Sequence, residues 1–197
     1  MQPKFGTSRL KGSMDNSELF YKLLEPIHPK AEAFSRKLAG NKDDGDDLYQ
    51  DALLKAYKSF ETLKDHSAFK PWLFRIIVNL FKSRVRVLKW KMFVSMTLET
   101  AERQSIDPTN KLSAKRYLSI AFKALNAEEK ALTILSEIDG WTIAELSDLL
   151  SKPTGTIKAK LARSKKKMRK KLISYFDTDE KPFKGEIPCV VMKPKTK

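Results

Sequence analysis

The chain has 197 residues, of which 41% are hydrophobic, and it carries 39 lysines and arginines against 24 acidic residues. This length suits one ordinary domain or two small ones rather than the core of a large enzyme. The formal charge of +15 indicates a polyanionic partner, either nucleic acid or an acidic membrane surface. A single cysteine, Cys189, excludes an intramolecular disulfide and a cysteine-based zinc cluster, and it is typical of a reducing, cytoplasmic compartment.

The chain lacks an apolar run of the roughly 20 residues that a membrane-spanning helix needs, so we expect no stable membrane insertion. Helical periodicity dominates while glycine and proline are sparse, and this pattern predicts an all-α fold. Polar, proline-containing stretches interrupt the periodicity twice. We therefore expect two small helical domains at 14–87 and 113–176, joined by a flexible linker at 88–112, with a leader or tag at 1–13 and a flexible tail at 177–197.

The first domain begins with two short helical segments, Leu19 to Ile27 and Ala31 to Leu38, which prolines interrupt. A longer amphipathic helix follows from Asp46 to Phe60, with acidic residues and a capping candidate between Asp43 and Asp47. After a polar break at 64–67, a second apolar stripe predicts another helix in this domain.

An acidic stripe lies along the helix from Asp46 to Phe60. The stripe has helical spacing of i, i+3, i+4 and i+7 and consists of Asp47, Gln50, Asp51 and Leu54. The preference of acids for a helix N-terminus explains the first aspartates of the segment but not Asp51. An acidic stripe in a basic protein is therefore a candidate binding surface.

The next helix carries a basic stripe that includes one amide. At 100° per residue its members lie within about 60° of one another and consist of Arg75, Asn79, Lys82 and Arg86. The opposite face is apolar and consists of Trp72, Leu73, Ile76 and Leu80. The basic stripe is either an ordinary solvated face or a nucleic-acid contact.

The second domain has the spacing of a helix-turn-helix. Asn126 with Glu129, and Thr142 with Glu145, each form a capping-box pattern and predict two helix starts. Gly140 lies just past an apolar series, where a residue with positive φ ends a helix. We expect three helices here: one before Gly140, a short one after it, and a long one from about Thr154 to Phe176.

The long third helix of this domain is strongly basic. Between Lys152 and Lys171 there are ten lysines and arginines and no acid. One face stays apolar for docking through Ile157, Leu161, Met168 and Leu172. Lys158, Arg163, Lys165 and Lys166 are among the residues able to reach DNA phosphates or base edges. A solvated basic helix, or one lying on anionic lipid, is the alternative interpretation of the charge.

Residues 137–172, and most sharply the segment Pro153-Thr-Gly-Thr-Ile-Lys158 with the residues that follow it, resemble the C-terminal promoter-reading domain of extracytoplasmic-function sigma factors. The resemblance implies that this helix enters the major groove of the minus-35 element. By position it implies a contact set of Thr154, Thr156, Lys158, Ala159, Lys160, Ala162, Arg163 and Lys166. Two positions depart from the common family pattern. Asn126 stands in place of proline but is itself a good cap, so the expected fold is unchanged. Ala159 stands in place of serine and lacks its hydroxyl, so the family's base preference does not transfer.

The first domain resembles the same family over Ser17 to Arg86. Residues 43–57 resemble the segment that docks on core RNA polymerase, which implies contacts from Asp47, Gln50, Asp51 and Leu54. Residues 69–79 resemble the segment that recognises and melts the minus-10 element. The implied contacts are Asp65, His66, Ser67, Phe69, Arg75, Asn79, Lys82 and Arg86.

The resemblance implies a sigma factor, which is not an enzyme. Its partners would be core RNA polymerase, promoter DNA and, by family analogy, an anti-sigma factor. We expect no cofactor and no metal, because His28 and His66 are too few and too far apart for a metal site. A stand-alone helix-turn-helix regulator that binds an operator as a dimer is the main alternative, and a membrane-surface or RNA-binding protein is a more distant one.

Overall fold

The computed structural model describes residues 16–95 and 113–178, and within these residues the chain is helical with no strand. In the first segment the helices are α1 (Asn16–Leu24), α2 (His28–Ala39), α3 (Lys42–Ser59) and α4 (Phe69–Ser95), with short 3₁₀ turns at Phe60–Thr62 and His66–Ala68. In the second they are α5 (Ser113–Phe122), α6 (Ala127–Thr133), α7 (Ile143–Leu150) and α8 (Thr154–Thr178), with a π-helical turn at Ile134–Ile138 after α6. The expected all-α architecture is confirmed.

Helices α2 and α3 form a tight antiparallel pair. Pro29 lies in the first turn of α2, where its missing N–H leaves no bond unmade, so α2 starts three residues before the predicted Ala31. Gly40 ends α2 with φ 95°, a conformation that favours glycine. The next helix starts almost at once, because the Asn41 side chain accepts a hydrogen bond of 2.8 Å from the Asp44 N–H. The prediction of a cap between Asp43 and Asp47 is wrong: those residues lie inside α3.

The core of the first domain lies between α2, α3 and α4. Its fully buried side chains include Phe34, Leu38, Leu48, Leu73, Phe74 and Ile77. Burying large apolar side chains such as these stabilises a fold by about 1.5–3 kcal/mol each. Helix α4 continues through Ser95, so helical structure extends eight residues into the segment expected to be a linker.

The second domain contains four helices rather than the three predicted, because α5 precedes the helix-turn-helix and packs against α8. Both predicted capping boxes are present, at Asn126 and at Thr142. Gly140 has φ 73°, as its place after an apolar series predicted. Ser151 ends α7 with φ 51°, a conformation that is uncommon for a residue other than glycine.

The two domains pack against each other. Helix α4 contacts α6 and α7, and α2 contacts the π-helical turn after α6. The ring of Phe74 lies 4.9 Å from the ring of Trp141, and the two side chains are 1% and 7% exposed. Buried residues of both domains therefore form one continuous apolar cluster.

Candidate DNA and polymerase interface

Helix α8 separates a docking face from an outward face. Ile157, Leu161 and Met168 are buried, as the sequence predicted, and α8 contacts α5, α6 and α7. Of the predicted minus-35 contacts, those exposed on the outward side are Thr154, Lys158, Ala159, Ala162, Arg163 and Lys166. Thr156 and Lys160 are only partly exposed. Because the buried set fixes the rotation of the helix, the exposed set forms a continuous surface that can enter a groove.

Acidic residues of α6 and of the π-helical turn after it pair with lysines of α8 and with Lys152, which lies just before α8. Lys160 Nζ and Lys152 Nζ each lie 2.7 Å from Glu128 Oε1. Lys167 Nζ lies 2.6 Å from Glu129 Oε1, and Lys165 Nζ lies 3.0 Å from Glu137 Oε1. These pairs offset part of the repulsion within α8. Lys160 was predicted to contact DNA, but its ammonium is bound within the protein.

Glu128 is the electrostatic centre of this cluster and was not identified from the sequence. Its Oε2 also accepts a hydrogen bond of 3.3 Å from Lys82 of helix α4. Burial alone would raise the pKa of Glu128, but hydrogen bonds from Lys152, Lys160 and Lys82 outweigh it and lower the pKa to about 2. Glu128 therefore stays ionised whenever the protein is folded near neutral pH.

We expect the melting temperature of the Glu128→Gln variant to depend less steeply on pH below pH 4.5 than that of the unchanged protein. A carboxyl whose pKa falls from 4.5 to about 2 on folding contributes stability above pH 4.5, and this contribution is lost as the pH falls toward 2. The melting temperature of the unchanged protein should thus fall more steeply between pH 4.5 and pH 2 than that of the variant. Other carboxyls with lowered pKa values, such as Asp46 and Glu145, titrate in both proteins and cancel in the comparison. Parallel profiles would contradict the assignment.

The acidic stripe is exposed on α3. Asp47, Gln50, Asp51 and Leu54 all lie on the surface, and Leu54 is 61% exposed, which is unusual for a leucine. The Arg84 guanidinium of α4 lies 2.5 Å from Asp51 Oδ2 and donates a hydrogen bond of 3.2 Å to the Asp44 carbonyl. Sequence periodicity did not reveal Arg84, because it contacts the stripe from a different helix.

The predicted minus-10 stripe on α4 falls into two parts. Asn79 and Arg86 are exposed to solvent. Arg75, in contrast, donates a hydrogen bond of 2.7 Å from Nε to the Leu149 carbonyl and a second from Nη2 to the Asp148 carbonyl. Lys82 pairs with Glu128. Two of the four stripe residues therefore contact the second domain.

The loop before α4 is held in shape by local hydrogen bonds. The Asp65 carboxylate accepts bonds from the Ser67 hydroxyl at 2.7 Å and from the Ser67 N–H at 2.9 Å, and these bonds lower the pKa of Asp65. The exposed His66 ring stacks on Phe60 with ring centroids 5.4 Å apart. Phe69 was predicted to contact DNA, but it is only 2% exposed and its ring packs in the core, 5.5 Å from the ring of Phe20.

Among residues 16–95 and 113–178, no cluster of three or more histidine, cysteine or acidic side chains could hold a metal ion. In those same two segments, no helix is both long and apolar enough to cross a bilayer. His28 is exposed and its Nδ1 lies 2.6 Å from the Tyr49 hydroxyl. Cys189 lies outside the described residues.

Two regions of one protein family match successive parts of the chain. The family described as Sigma-70 region 2 matches residues 23–91, and Sigma-70, region 4 matches residues 116–168. The first match covers most of the first domain, which carries the acidic and the basic stripe. The second match covers the helix-turn-helix. Together they span more than half of the chain.

Proteins with similar sequences or structures are also sigma factors. The chain is 26% identical to the ECF RNA polymerase sigma factor SigM of Mycobacterium tuberculosis over 163 residues, which covers 81% of this chain and 79% of SigM. It is 26% identical to SigW of Bacillus subtilis over 176 residues, covering 82% and 91% of the two chains. The sigma factor RpoE of Bartonella quintana, solved with the anti-sigma factor NepR, superposes with a TM-score of 0.61 at 26% identity, covering 79% of this chain and 96% of RpoE. Since both modules match in order and the relatives are matched over most of their length, the chain belongs to the extracytoplasmic-function group of bacterial RNA polymerase sigma factors.

Proposed function

We propose that this sigma factor directs core RNA polymerase to its promoters through three separate surfaces. The acidic stripe of α3 docks on the polymerase. The outward face of α8 reads duplex DNA at the minus-35 element. The stripe of α4 and the loop at 65–68 hold the unpaired strand at the minus-10 element.

The exposed face of α8 is the observation that carries this proposal. Lysines on the inner edge of α8 are bound to acids of α6 and its π-helical turn. Lys158, Arg163 and Lys166 are instead exposed, and Arg163 Nε donates a hydrogen bond of 3.2 Å to the Ala159 carbonyl of its own helix. Phosphate contacts from such residues position a helix on the duplex, and an arginine is suited to bidentate contact with guanine.

The loop and α4 suit the capture of an unpaired base. Extruding a base from the duplex costs a few kcal/mol, which stacking and hydrogen bonds in the protein must offset. The exposed His66 ring, backed by Phe60, offers a stacking surface, and the exposed Asn79 amide can both donate and accept a hydrogen bond. Arg86, which is also exposed, adds positive charge further along the same stripe.

If core RNA polymerase is the partner, two further expectations follow, one for the compartment and one for a second protein partner. We expect the protein to act in the cytoplasm, where bacterial polymerase and chromosome meet. We also expect a sequestering anti-sigma partner, because the similar RpoE of Bartonella quintana has been solved in complex with one.

Run-off transcription with purified core polymerase on a promoter-containing genomic library tests the function as a whole. A sigma factor initiates at specific sites only when the protein and core polymerase are both present. A dimeric operator-binding regulator would bind specific duplex tightly without polymerase and would not redirect initiation. That second result would contradict the proposal.

We expect Arg163→Ala to weaken use of the minus-35 element by roughly 5- to 150-fold, which corresponds to about 1–3 kcal/mol for a lost base contact. The measurement is run-off transcription against template concentration. Lys171→Ala is the control, since Lys171 is also exposed on α8 but lies about 80° around the helix from Arg163, on the side away from Lys158 and Lys166. Equal effects of the two variants would contradict the assigned face.

A further inference from the structure

A basic cleft of about 360 Å³ has α4 on one side and the starts of α6 and α8 on the other. Its volume is within the range of about 300–1,000 Å³ that small-molecule sites in proteins occupy. The described residues that line it include four cations and one acid, and these are Lys82, Arg86, Lys89, Lys160 and Glu128. The cleft therefore attracts an anionic ligand.

The α4 side of the cleft carries its charges along one face of the helix. Lys82, Arg86 and Lys89 are spaced at i, i+4 and i+7, so the three side chains lie within about 60° of one another. All three are exposed. Val85 lies next to them and also lines the cleft. A ligand in the cleft would thus meet several cations of α4 at once.

Ammonium groups are crowded around Glu128 in the cleft. Lys152 Nζ and Lys160 Nζ each lie 2.7 Å from Glu128 Oε1, so the two nitrogens are separated by at most twice that distance. Lys82 Nζ lies 3.3 Å from Glu128 Oε2. The carboxylate stays ionised because, against the effect of burial, these hydrogen bonds lower its pKa to about 2. One negative charge cannot neutralise three ammonium groups, and a second anion would relieve the repulsion that remains.

A chain of phosphate groups matches this arrangement better than a single carboxylate does. Each lysine ammonium has three N–H donors, so a lysine that binds Glu128 can also donate to a second acceptor. The Arg86 guanidinium can bind a phosphate through two parallel hydrogen bonds. A phosphate chain carries several negative charges close together, as the cleft carries several positive ones, whereas a carboxylate carries only one. The density of charge therefore points to the class of ligand.

We propose that this cleft binds the phosphate chain of a small molecule, either a nucleoside triphosphate or an inorganic oligophosphate. The cations of α4 hold the chain from one side, and Lys160 of α8 holds it from the other. The site is a small-molecule site, additional to the polymerase and promoter surfaces, and binding to it does not depend on the proposed function. Lys82, Arg86 and Lys160 are also among the expected DNA contacts, so the DNA backbone is the competing occupant that an experiment must separate.

Isothermal titration calorimetry of the full-length chain with sodium tripolyphosphate, near neutral pH and in about 0.15 M salt, tests the site. We expect one binding site per chain. ATP should also bind, because it carries the same triphosphate, and the tighter of the two ligands identifies the source of the phosphate chain. Adenosine, which has no phosphate, should not bind. A thymidine pentanucleotide spreads its charges over separate phosphodiesters, so it should bind at least about tenfold more weakly.

Acidic substitutions on the two sides of the cleft test its position. Val85→Glu places a carboxylate beside the cations of α4, and Asn126→Asp places one on the opposite side while keeping a side chain that caps α6. We expect each to weaken tripolyphosphate binding about tenfold, because a like charge then lies next to the ligand. Val87→Glu is the matched control, since Val87 is exposed on α4 about 160° around the helix from Val85. Its effect should stay below about twofold, because salt screens the more distant charge.

Circular dichroism melting curves of the ligand-free variants establish that each is folded. Equal weakening by all three variants, or binding of several ligands per chain that no variant changes, overturns the proposal, because the overall charge of +15 then holds the ligand. Pentanucleotide binding as tight as that of tripolyphosphate also overturns it, since the cleft is then part of a DNA surface. One-site tripolyphosphate binding by a chain that fails to initiate transcription with core polymerase supports the cleft and contradicts only the proposed function.

Discussion

Gly45→Ala should destabilise the first domain. Gly45 is buried within α3, and a Cβ at that position would lie 2.4 Å from the Arg36 Cα of α2. Backbone cannot rotate away as a flexible side chain can, so α2 and α3 must separate. We expect a loss of about 2 kcal/mol, as overpacking of about 3 kcal/mol is offset by about 1 kcal/mol of helix propensity gained from alanine.

Gly155→Ala is the matched control for this prediction. Gly155 lies in the first turn of α8, where an added Cβ meets nothing within 4 Å. The same substitution should therefore raise stability slightly, by about 0.4–1 kcal/mol, because alanine restricts the unfolded chain. Chemical denaturation followed by circular dichroism measures both changes. If Gly45→Ala proved as stable as the parent chain, the close packing of α2 on α3 would be wrong.

Local signals in the sequence predicted the local structure well. The capping boxes at Asn126 and Thr142, and the positive φ of Gly140, depend on residues three or four positions apart, so a short window contains the whole motif. The apolar face of α8 was predicted for the same reason. The cap of α3 was predicted wrongly, because it was assigned to the aspartates at 43–47, whereas the N-cap is Asn41, which was not identified from the sequence.

Contacts between distant residues could not be predicted in this way. Arg75 was assigned to a solvent-facing stripe from its position on α4, but its partners are backbone carbonyls 73 and 74 residues away. Sequence reasoning likewise assigned no role to Glu128, whose partners are Lys82 of α4, Lys160 of α8 and Lys152 of the turn before α8. Helical periodicity identifies which side of a helix is polar. It contains no information about which other element will cover that side.

Reversing the charge of the acidic stripe should separate polymerase docking from DNA binding. We expect Asp47→Lys/Asp51→Lys to weaken binding to core polymerase roughly 100-fold, which corresponds to about 3 kcal/mol for two like-charge contacts at a complementary interface. The fold should survive, because the one ion pair lost, Asp51 with Arg84, is exposed, and such pairs contribute at most about 1 kcal/mol. Co-sedimentation with purified core polymerase measures the affinity.

Because the charge change is positive, this experiment distinguishes a polymerase subunit from a protein that binds DNA independently. Each reversal makes an already basic protein more basic, so non-specific DNA binding should strengthen rather than weaken. Glu25→Lys/Glu61→Lys adds the same charge at exposed positions outside the stripe and serves as the control. A subunit should then lose transcription only in the stripe variant, despite binding DNA at least as tightly as the control. A regulator that works on DNA alone should behave identically in both variants, because the stripe has no partner in that mechanism.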